Sequence, residues 1–347
     1  MARPPKLLTS LLRDVSRSFY LTLRVLPAGV REPIGIAYLL ARAADTIADT
    51  TVLPPEKRLD ALRQLRLHIS ENLAGALTLE EAAGRQDDEA ERRLLERIEE
   101  ALAVLANQKT PDRQLIIEVL LTILSGQALD LQRFAGASAR RIVPLHNDDE
   151  LEDYTYRVAG CVGEFWTKLC RVHLFPEAPL EESLLLAQAV RLGKGLQLVN
   201  ILRDLPRDLR QGRCYLPADQ LAAIGLAPAD LLDPANEPRL RPLYNQYLDR
   251  AAAHLADGWA YTHQLPANQT RLRLACAWPI LIGVKTIEKL RRGNPLDPAV
   301  RLKATRAEVR WLICRSLLLL PFPQGWRRLG PLPPPPAGAP TFDKKTD

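Results

Sequence analysis

The sequence predicts an almost entirely α-helical protein, and three observations carry that expectation. Leu, Ala and Arg dominate the 347 residues, apolar side chains return at spacings of three and four, and no stretch sustains the alternation of β-branched residues that strands need. With 47% hydrophobic residues and ordinary charge density, the chain can bury one large core or two modest ones. Mixed α/β topologies are disfavoured.

Read from the N-terminus, helical periodicity covers about residues 6–25, 31–49, 55–76, 88–106, 112–134, 148–175, 179–205, 216–223, 240–262, 269–291 and 305–319. Gly75–Asp88 is polar and built of small residues, as a surface loop is. Gly126-Gln-Ala-Leu-Asp130 puts a close-approach glycine and an inward acid on one helix, with plain helix packing and a surface acid as the alternative. Leu226–Pro242 is rich in proline and is expected to wrap the outside. From Gly330 the chain carries Pro331, Pro333, Pro334, Pro335 and Pro336, so 330–347 reads as a disordered or polyproline-like tail after one unit over 1–329. No strong linker divides that unit, and no repeat of a helical solenoid is present.

A net charge of +6 and a pI near 9.1 would admit nucleic acid as a partner, but Arg and Lys are interspersed with Asp and Glu rather than gathered in a block. The mixture reads as a solvated surface, with no nucleic acid expected and a weaker attraction to anionic membranes or diphosphates. Cys161, Cys170, Cys214, Cys276 and Cys314 are odd in number without metal-type pairing, so reduced, mostly buried thiols are expected. His68, His146, His173, His254 and His263 form no cluster, which argues against a zinc enzyme. Met1–Ser10 lacks an apolar run with a small-residue cleavage site, so no secretory signal and a cytoplasmic location are expected. The most membrane-like stretch, Trp311–Phe322 with Leu317–Leu320 at its centre, is interrupted by Arg315, stopped by Pro321 and too short to span a bilayer. It reads either as a peripheral membrane contact or as a buried terminal helix.

Two aspartate pairs with the same spacing stand inside this apolar helical sequence: Asp45 with Asp49, and Asp204 with Asp208. Carboxylates four apart share a helix face, and two such faces opposed across a cavity can hold magnesium and, through it, a diphosphate. On the first helix Tyr38, Arg42, Asp45 and Asp49 fall within an arc of roughly 60°. One such pair alone reads as a solvated stripe with ordinary ion pairs; its recurrence favours a site. On the second helix Gln197, Asn200, Asp204 and Asp208 project from nearly one side, and burying them without partners would be costly.

Arg203 stands about 100° from Asp204 on the wheel, where it flanks the site or pairs with another acid. Pro206 lacks an N–H and clashes with the carbonyl four residues earlier, so the helix is expected to kink or end there and Asp208 to approach from a loop or a new turn. Gly212-Arg-Cys-Tyr-Leu-Pro217 reads as a turn that folds Arg213 and Tyr215 back over the site. Phe165 and Trp166 are expected to pack in the core.

Four segments now carry a resemblance: Ser16-Arg-Ser-Phe-Tyr20, the first acid helix from Tyr38 to Asp49, Tyr154-Thr-Tyr-Arg-Val-Ala-Gly-Cys-Val-Gly163, and Gln197-Leu-Val-Asn-Ile-Leu-Arg-Asp204. They resemble the signature blocks of the squalene/phytoene synthase family, in the family's order, over about residues 10–220. The resemblance implies an isoprenoid synthase fold, helices around a central apolar cavity with the acid motifs facing each other at its mouth. It implies head-to-head joining of two prenyl diphosphates through a cyclopropyl diphosphate. By that likeness Asp45, Asp49, Asp204 and Asp208 hold Mg²⁺, and Arg17, Arg42 and Arg203 contact diphosphate. Ser16, Ser18 and Phe19 line the entrance, Tyr38, Gln197 and Asn200 lie beside the head groups with Tyr215 folded over them, and Tyr154 stands near the reacting carbons. Gly160 and Gly163 match the place where a family helix bends beside substrate.

Within the family, the Asp45-Thr46 start of the first motif resembles squalene synthases, which use NADPH; Lys303 and Arg306 match its basic contacts in a late segment. Gly212–Pro217 and the region of Val300 to Val309 look closer to bacterial phytoene-type enzymes. The membrane anchor of eukaryotic squalene synthases has no counterpart, which implies a soluble bacterial-type form. A phytoene synthase, an enzyme stopping at presqualene diphosphate or hydroxysqualene, and a non-catalytic helical adaptor are the alternatives.

Overall fold

Helix boundaries fall where side chains satisfy the free backbone groups of a terminus. The computed structural model describes residues 10–16, 20–50, 53–71, 79–84, 86 and 88–331. In the first half, α1 (Ser10–Ser16) and α2 (Tyr20–Val25) lead into the long α3 (Ala28–Asp49), followed by α4 (Pro55–Glu71), α5 (Glu80–Ala83), α6 (Glu89–Glu96), α7 (Ile98–Ala106) and α8 (Thr110–Arg133). Asp88 caps α6 by accepting from the amides of Ala90 and Glu91, and Pro111 sits in the first turn of α8, where a missing N–H breaks no helical bond.

A short strand, β1 (Val143–Leu145), precedes α9 (Asp148–Thr155), which Asn147 caps through the Glu150 amide. A π-helical turn over Tyr156–Gly160 joins α9 to α10 (Cys161–Leu174). Next come α11 (Glu182–Arg210), β2 (Arg213–Pro217) and α12 (Ala218–Ala223). Two 3₁₀ turns then reach α13 (Glu237–Gln264), followed by α14 (Thr270–Arg292), α15 (Arg306–Leu319) and α16 (Pro323–Arg327). Thr305 and Glu308 form a reciprocal capping box at the start of α15.

The helical expectation holds, with local corrections. Residues 148–175 are not one α-helix, because the π turn inserts an extra residue per turn beside Gly160. Residues 88–106 divide at Arg97, whose φ of −111° and ψ of 20° leave the helical region. The turn expected over Gly212–Pro217 is a strand that pairs in parallel with β1. Leu226–Pro242 does not merely wrap the outside, since Leu226, Leu231 and Leu240 are buried beneath it. The tail from 332 and, of the Gly75–Asp88 loop, residues 75–78, 85 and 87 lie outside the described residues; the described part is not a plain surface loop, since it holds α5 and buries Leu79, Ala82 and Ala83.

The buried apolar side chains form two clusters, one built by α1 to α8 with α10, the other mainly by α11 to α14 with β2. Leu192 of α11 borders both. Helix α8 is, among the described residues, the one long and apolar enough to cross a membrane. It packs against α3, α4 and α10 and buries Ile116, Leu120 and Leu124, as a core helix does. Residues Trp311–Phe322, by contrast, leave several apolar side chains exposed.

Helix α11 does not end at Pro206; it runs to Arg210 and keeps Asp204 and Asp208 on one helix. The missing amide at Pro206 would leave the Leu202 carbonyl without its donor. The hydroxyl of the fully buried Tyr244 donates to that carbonyl at 2.9 Å, so α13 supplies the bond that proline cannot.

Close approach sets α10 and the π turn against α11. A Cβ on Gly193 would lie 2.2 Å from the Ala159 carbonyl oxygen, and one on Gly163 would lie 2.1 Å from that of Ala189. Gly193→Ala is therefore expected to lower stability by about 1–3 kcal/mol, the common cost of overpacking. A fall in the urea midpoint with an unchanged m-value is the measurement that checks it.

Candidate functional site

Helices α3 and α11 present their polar stripes to one apolar cavity of about 380 Å³. Along α3 the lining passes from Ile34, Ala37 and Tyr38 to Asp45, and along α11 from Ala189, Leu192 and Leu196 to Gln197 and Asn200. Both walls thus turn polar toward their C-terminal ends, where Asp49 and the Asp204/Asp208 pair follow. Val119 and Ile123 of α8, Phe165 and Trp166 of α10, Tyr261 of α13 and Cys276 of α14 complete the apolar part. Phe165 and Trp166 serve the core and the cavity wall together, more than the core packing expected of them.

The acids are crowded. Burial in the cavity wall, then the neighbouring Asp49, push Asp45 up to about 7 against the pull of Arg42. Asp208 is likewise raised to about 7 by burial, then by Asp204 and, more weakly, by Asp49 from the other helix. Asp49 is the last residue of α3 and Asp208 lies in the last turn of α11, so both helix dipoles add to the negative potential.

Arginines answer part of this charge. Arg203 grips its own neighbour, Nε donating to Asp204 Oδ1 at 2.8 Å and Nη2 to Oδ2 at 2.5 Å. Arg42 bonds Glu91 of α6 and lies 3.9 Å from Asp45, so part of its charge is spent on a residue the helical wheel does not bring near. Gln127 of α8 donates to Asp45 Oδ1.

Gly212 ends α11 with φ of 83°, and a Cβ there would strike the Ser138 amide at 2.3 Å. The tight turn starts β2 and delivers Arg213 and Tyr215 to the site. Arg213 Nη1 stands 3.6 Å from Asp49 and 3.4 Å from Asp130, bridging α3 to α8. The Tyr215 hydroxyl donates to both oxygens of the buried Asp130, at 3.0 and 3.2 Å. Burial alone would carry the Asp130 carboxyl higher; Arg213 and Tyr215 restrain it to about 6. Tyr154 stacks on Tyr215 with ring centroids 4.9 Å apart, its hydroxyl 3.5 Å from that of Tyr215. Burial, with Asp130, Asp49 and Asp208 nearby, raises the Tyr154 phenol well above its ordinary value, so it stays protonated.

Some expected residues stand elsewhere. Ser16 is buried and its hydroxyl bonds the Leu12 carbonyl of its own helix, so it does not line the cavity. Arg17, Ser18 and Phe19 lie outside the described residues. Lys303 and Arg306 are exposed around the start of α15, and neither lines the cavity. Four cysteines are buried and Cys314 is exposed, all free.

A family profile described as squalene/phytoene synthase matches residues 12–308. The chain belongs to the squalene/phytoene synthase family. Members of that family are prenyltransferase enzymes. A presqualene diphosphate synthase from Zymomonas mobilis is 29% identical over 306 residues, covering 86% of this chain and 89% of that protein. A 15-cis-phytoene synthase from a Paracoccus species is 28% identical, covering 86% of each chain. A squalene synthase from Schizosaccharomyces pombe is 27% identical over 89% of this chain and 64% of its own length. The complex of TcSQS with the ligand E5700 superposes with a TM-score of 0.75 at 20% identity, covering 93% of this chain and 89% of that one, which establishes the squalene synthase-like isoprenoid synthase fold.

The donor set of this squalene/phytoene synthase site suits Mg²⁺. Among the described residues no three acids, histidines or cysteines converge to hold a metal by themselves. Magnesium is usually taken by one or two carboxylates together with phosphate oxygens and water, and each aspartate pair offers those hard oxygens where negative charge is in excess.

Two outcomes follow from this geometry. The raised Asp45 makes the metal-free fold bind a proton between its unfolded value, near 3.8, and about 7, so stability falls as pH rises through that window. Asp45→Asn should raise the melting temperature at pH 8 and leave it nearly unchanged at pH 4, by calorimetry in EDTA. Tyr244→Phe should cost about 1–3 kcal/mol by orphaning the Leu202 carbonyl. In a Pro206→Ala background, where the chain's own amide reaches that carbonyl, the same change should cost much less, as a double-mutant cycle in urea would register.

Proposed function

We propose that this chain joins two farnesyl diphosphates head to head through presqualene diphosphate and, with NADPH, carries the product to squalene. The observation behind this reading is one cavity, apolar along most of its length, whose polar end is formed by Tyr38, Asp45, Gln197 and Asn200 with three further aspartates close by. A prenyl diphosphate has the same division into an apolar tail and an anionic head.

Asp45 and Asp49 on one side and Asp204 and Asp208 on the other would hold magnesium, which supplies charge neutralisation for a departing diphosphate. Arg203 and Arg213, already fixed against acids of the site, add positive charge where the leaving group gathers it. The prenyl tail lies among Val119, Ile123, Leu192 and Leu196, where water is excluded from an allylic cation. Phe165, Trp166 and Tyr261 stand in the same wall, where aromatic rings would stabilise cationic carbon. Tyr154, a neutral phenol stacked on the Tyr215 that bonds Asp130, orients the head-group end without adding charge.

A second reading ends the reaction at presqualene diphosphate. It is favoured by the Zymomonas mobilis relative, which covers most of both chains, and by the surface position of Lys303 and Arg306. Incubation with farnesyl diphosphate and Mg²⁺, with and without NADPH, separates the readings. Squalene that forms only with NADPH supports the first; presqualene diphosphate in both reactions supports the second. Phytoene made from geranylgeranyl diphosphate, with farnesyl diphosphate inert, would sink both.

Asp45→Asn and Asp204→Asn are each expected to lower kcat by about 100-fold or more with the fold retained, a loss of at least roughly 2.7 kcal/mol of transition-state stabilisation. Unchanged turnover in Asp45→Asn, measured by release of diphosphate, would remove α3 from the metal site.

A further inference from the structure

The outer face of α15 and α16 has no part in the cavity, yet it carries large apolar side chains in water. Trp311, Leu317, Leu318 and Phe322 are 56%, 47%, 73% and 63% exposed. Trp311, Arg315, Leu318 and Phe322 recur at i, i+4, i+7 and i+11, which places the three α15 residues on one helix face that leads directly into Phe322. The segment is not a frayed end. Ser316, on the opposite side of α15, is fully buried and accepts from Trp278 Nε1 of α14 at 3.0 Å, and Trp326 of α16 is buried against Trp259. The helices are anchored through one side while the other displays its apolar residues.

Charge identifies the occupant. Arg310, Arg315 and Arg327 are exposed on the same two helices, Arg328 is exposed directly after α16, and Arg315 lies over the Trp311 ring at 4.9 Å. The single acid of α15 and α16, Glu308, is taken up by Lys289 and by its capping box. An apolar face with an aromatic residue at each end, arginines on and beside it, and the one acid of its two helices paired, matches an anionic lipid surface.

We infer that α15 and α16 dock on an anionic bilayer, lying in its interface with Trp311, Leu318 and Phe322 among the acyl chains and the arginines at the headgroups. This surface is independent of the reading of the active site and holds whichever prenyl product the cavity makes.

Co-sedimentation of the full chain with vesicles of equal parts phosphatidylglycerol and phosphatidylcholine, against phosphatidylcholine alone, tests it. Recovery with the anionic vesicles should exceed that with neutral ones by about tenfold at low salt and fall as salt is added. The triple change Trp311→Ser, Leu318→Ser, Phe322→Ser should abolish it, and Arg310→Glu with Arg315→Glu should weaken it by about tenfold. A second measurement needs no change to the face: Cys314, exposed while the other four cysteines are buried, takes an environment-sensitive thiol dye whose emission should shift to the blue on anionic vesicles. Failure to sediment with the anionic vesicles, or an unmoved dye spectrum, overturns the proposal. So does a wild-type dimer that the triple change converts to a monomer without vesicle binding, because the face would then be a contact between copies.

Discussion

Negative charge placed where both an apolar wall and a helix end disfavour it is the constraint on which the rest of this structure depends. Asp45 borders an apolar cavity and Asp49 closes α3, while Asp204 and Asp208 occupy the last two turns of α11. Neither burial nor the dipole stabilises a carboxylate there. The chain answers with arginines on separate elements, Arg42 from α3, Arg203 from α11 and Arg213 from β2, and the supporting contacts to Glu91 and Asp130 hold two of them in place. A protein that only needed a stable core would put leucine at these positions. Retaining four acids beside an apolar cavity makes sense for a ligand with a cationic or cation-bridged head and an apolar tail.

Three backbone devices hold the charges in register. The π turn at Tyr156–Gly160 and the glycine contacts at Gly163 and Gly193 let α10 and α11 approach within backbone distance, which shapes the cavity wall beside Gln197 and Asn200. Gly212 reverses the chain so tightly that Arg213 reaches Asp49 on a different helix. Tyr244 donates to the Leu202 carbonyl and lets α11 pass through Pro206 without losing a partner. Each device is local, and each has its consequence at the acid pairs.

The all-helical class and the two stripes were legible in the sequence because both depend on period alone: residues four apart share a face in any α-helix. The misplaced features depend on partners far along the chain. Pro206 reads as a helix end by its own chemistry, and only a tyrosine 38 positions later in sequence reverses that reading. Arg42 looks free on the wheel, yet Glu91 from another helix holds it. Gln127, next to a glycine that did stand out, bonds Asp45 without any periodic signal. The strands β1 and β2 span three and five residues, too few for alternation to register, and exist because Gly212 and the Val143 amide meet. Ser16 matches a family block yet turns to its own helix, since a serine hydroxyl competes readily for the carbonyl four residues back.

The two acid pairs repeat one electrostatic arrangement as well as one spacing. In each pair one carboxylate has the nearer guanidinium: Asp49 lies 3.6 Å from Arg213 and Asp204 is clasped by Arg203, whereas the Arg42 that stands 3.9 Å from Asp45 is shared with Glu91. The other member, Asp45 or Asp208, is pushed up to about 7 by burial and by its own partner's charge. The excess negative charge is therefore contributed by both helices, and the two pairs are near enough for Asp49 to act on Asp208. Asp45, Asp49, Asp204 and Asp208 would together hold magnesium under the proposed function, and the cation would supply the positive charge that Arg42, Arg203 and Arg213 leave lacking at the two raised carboxylates.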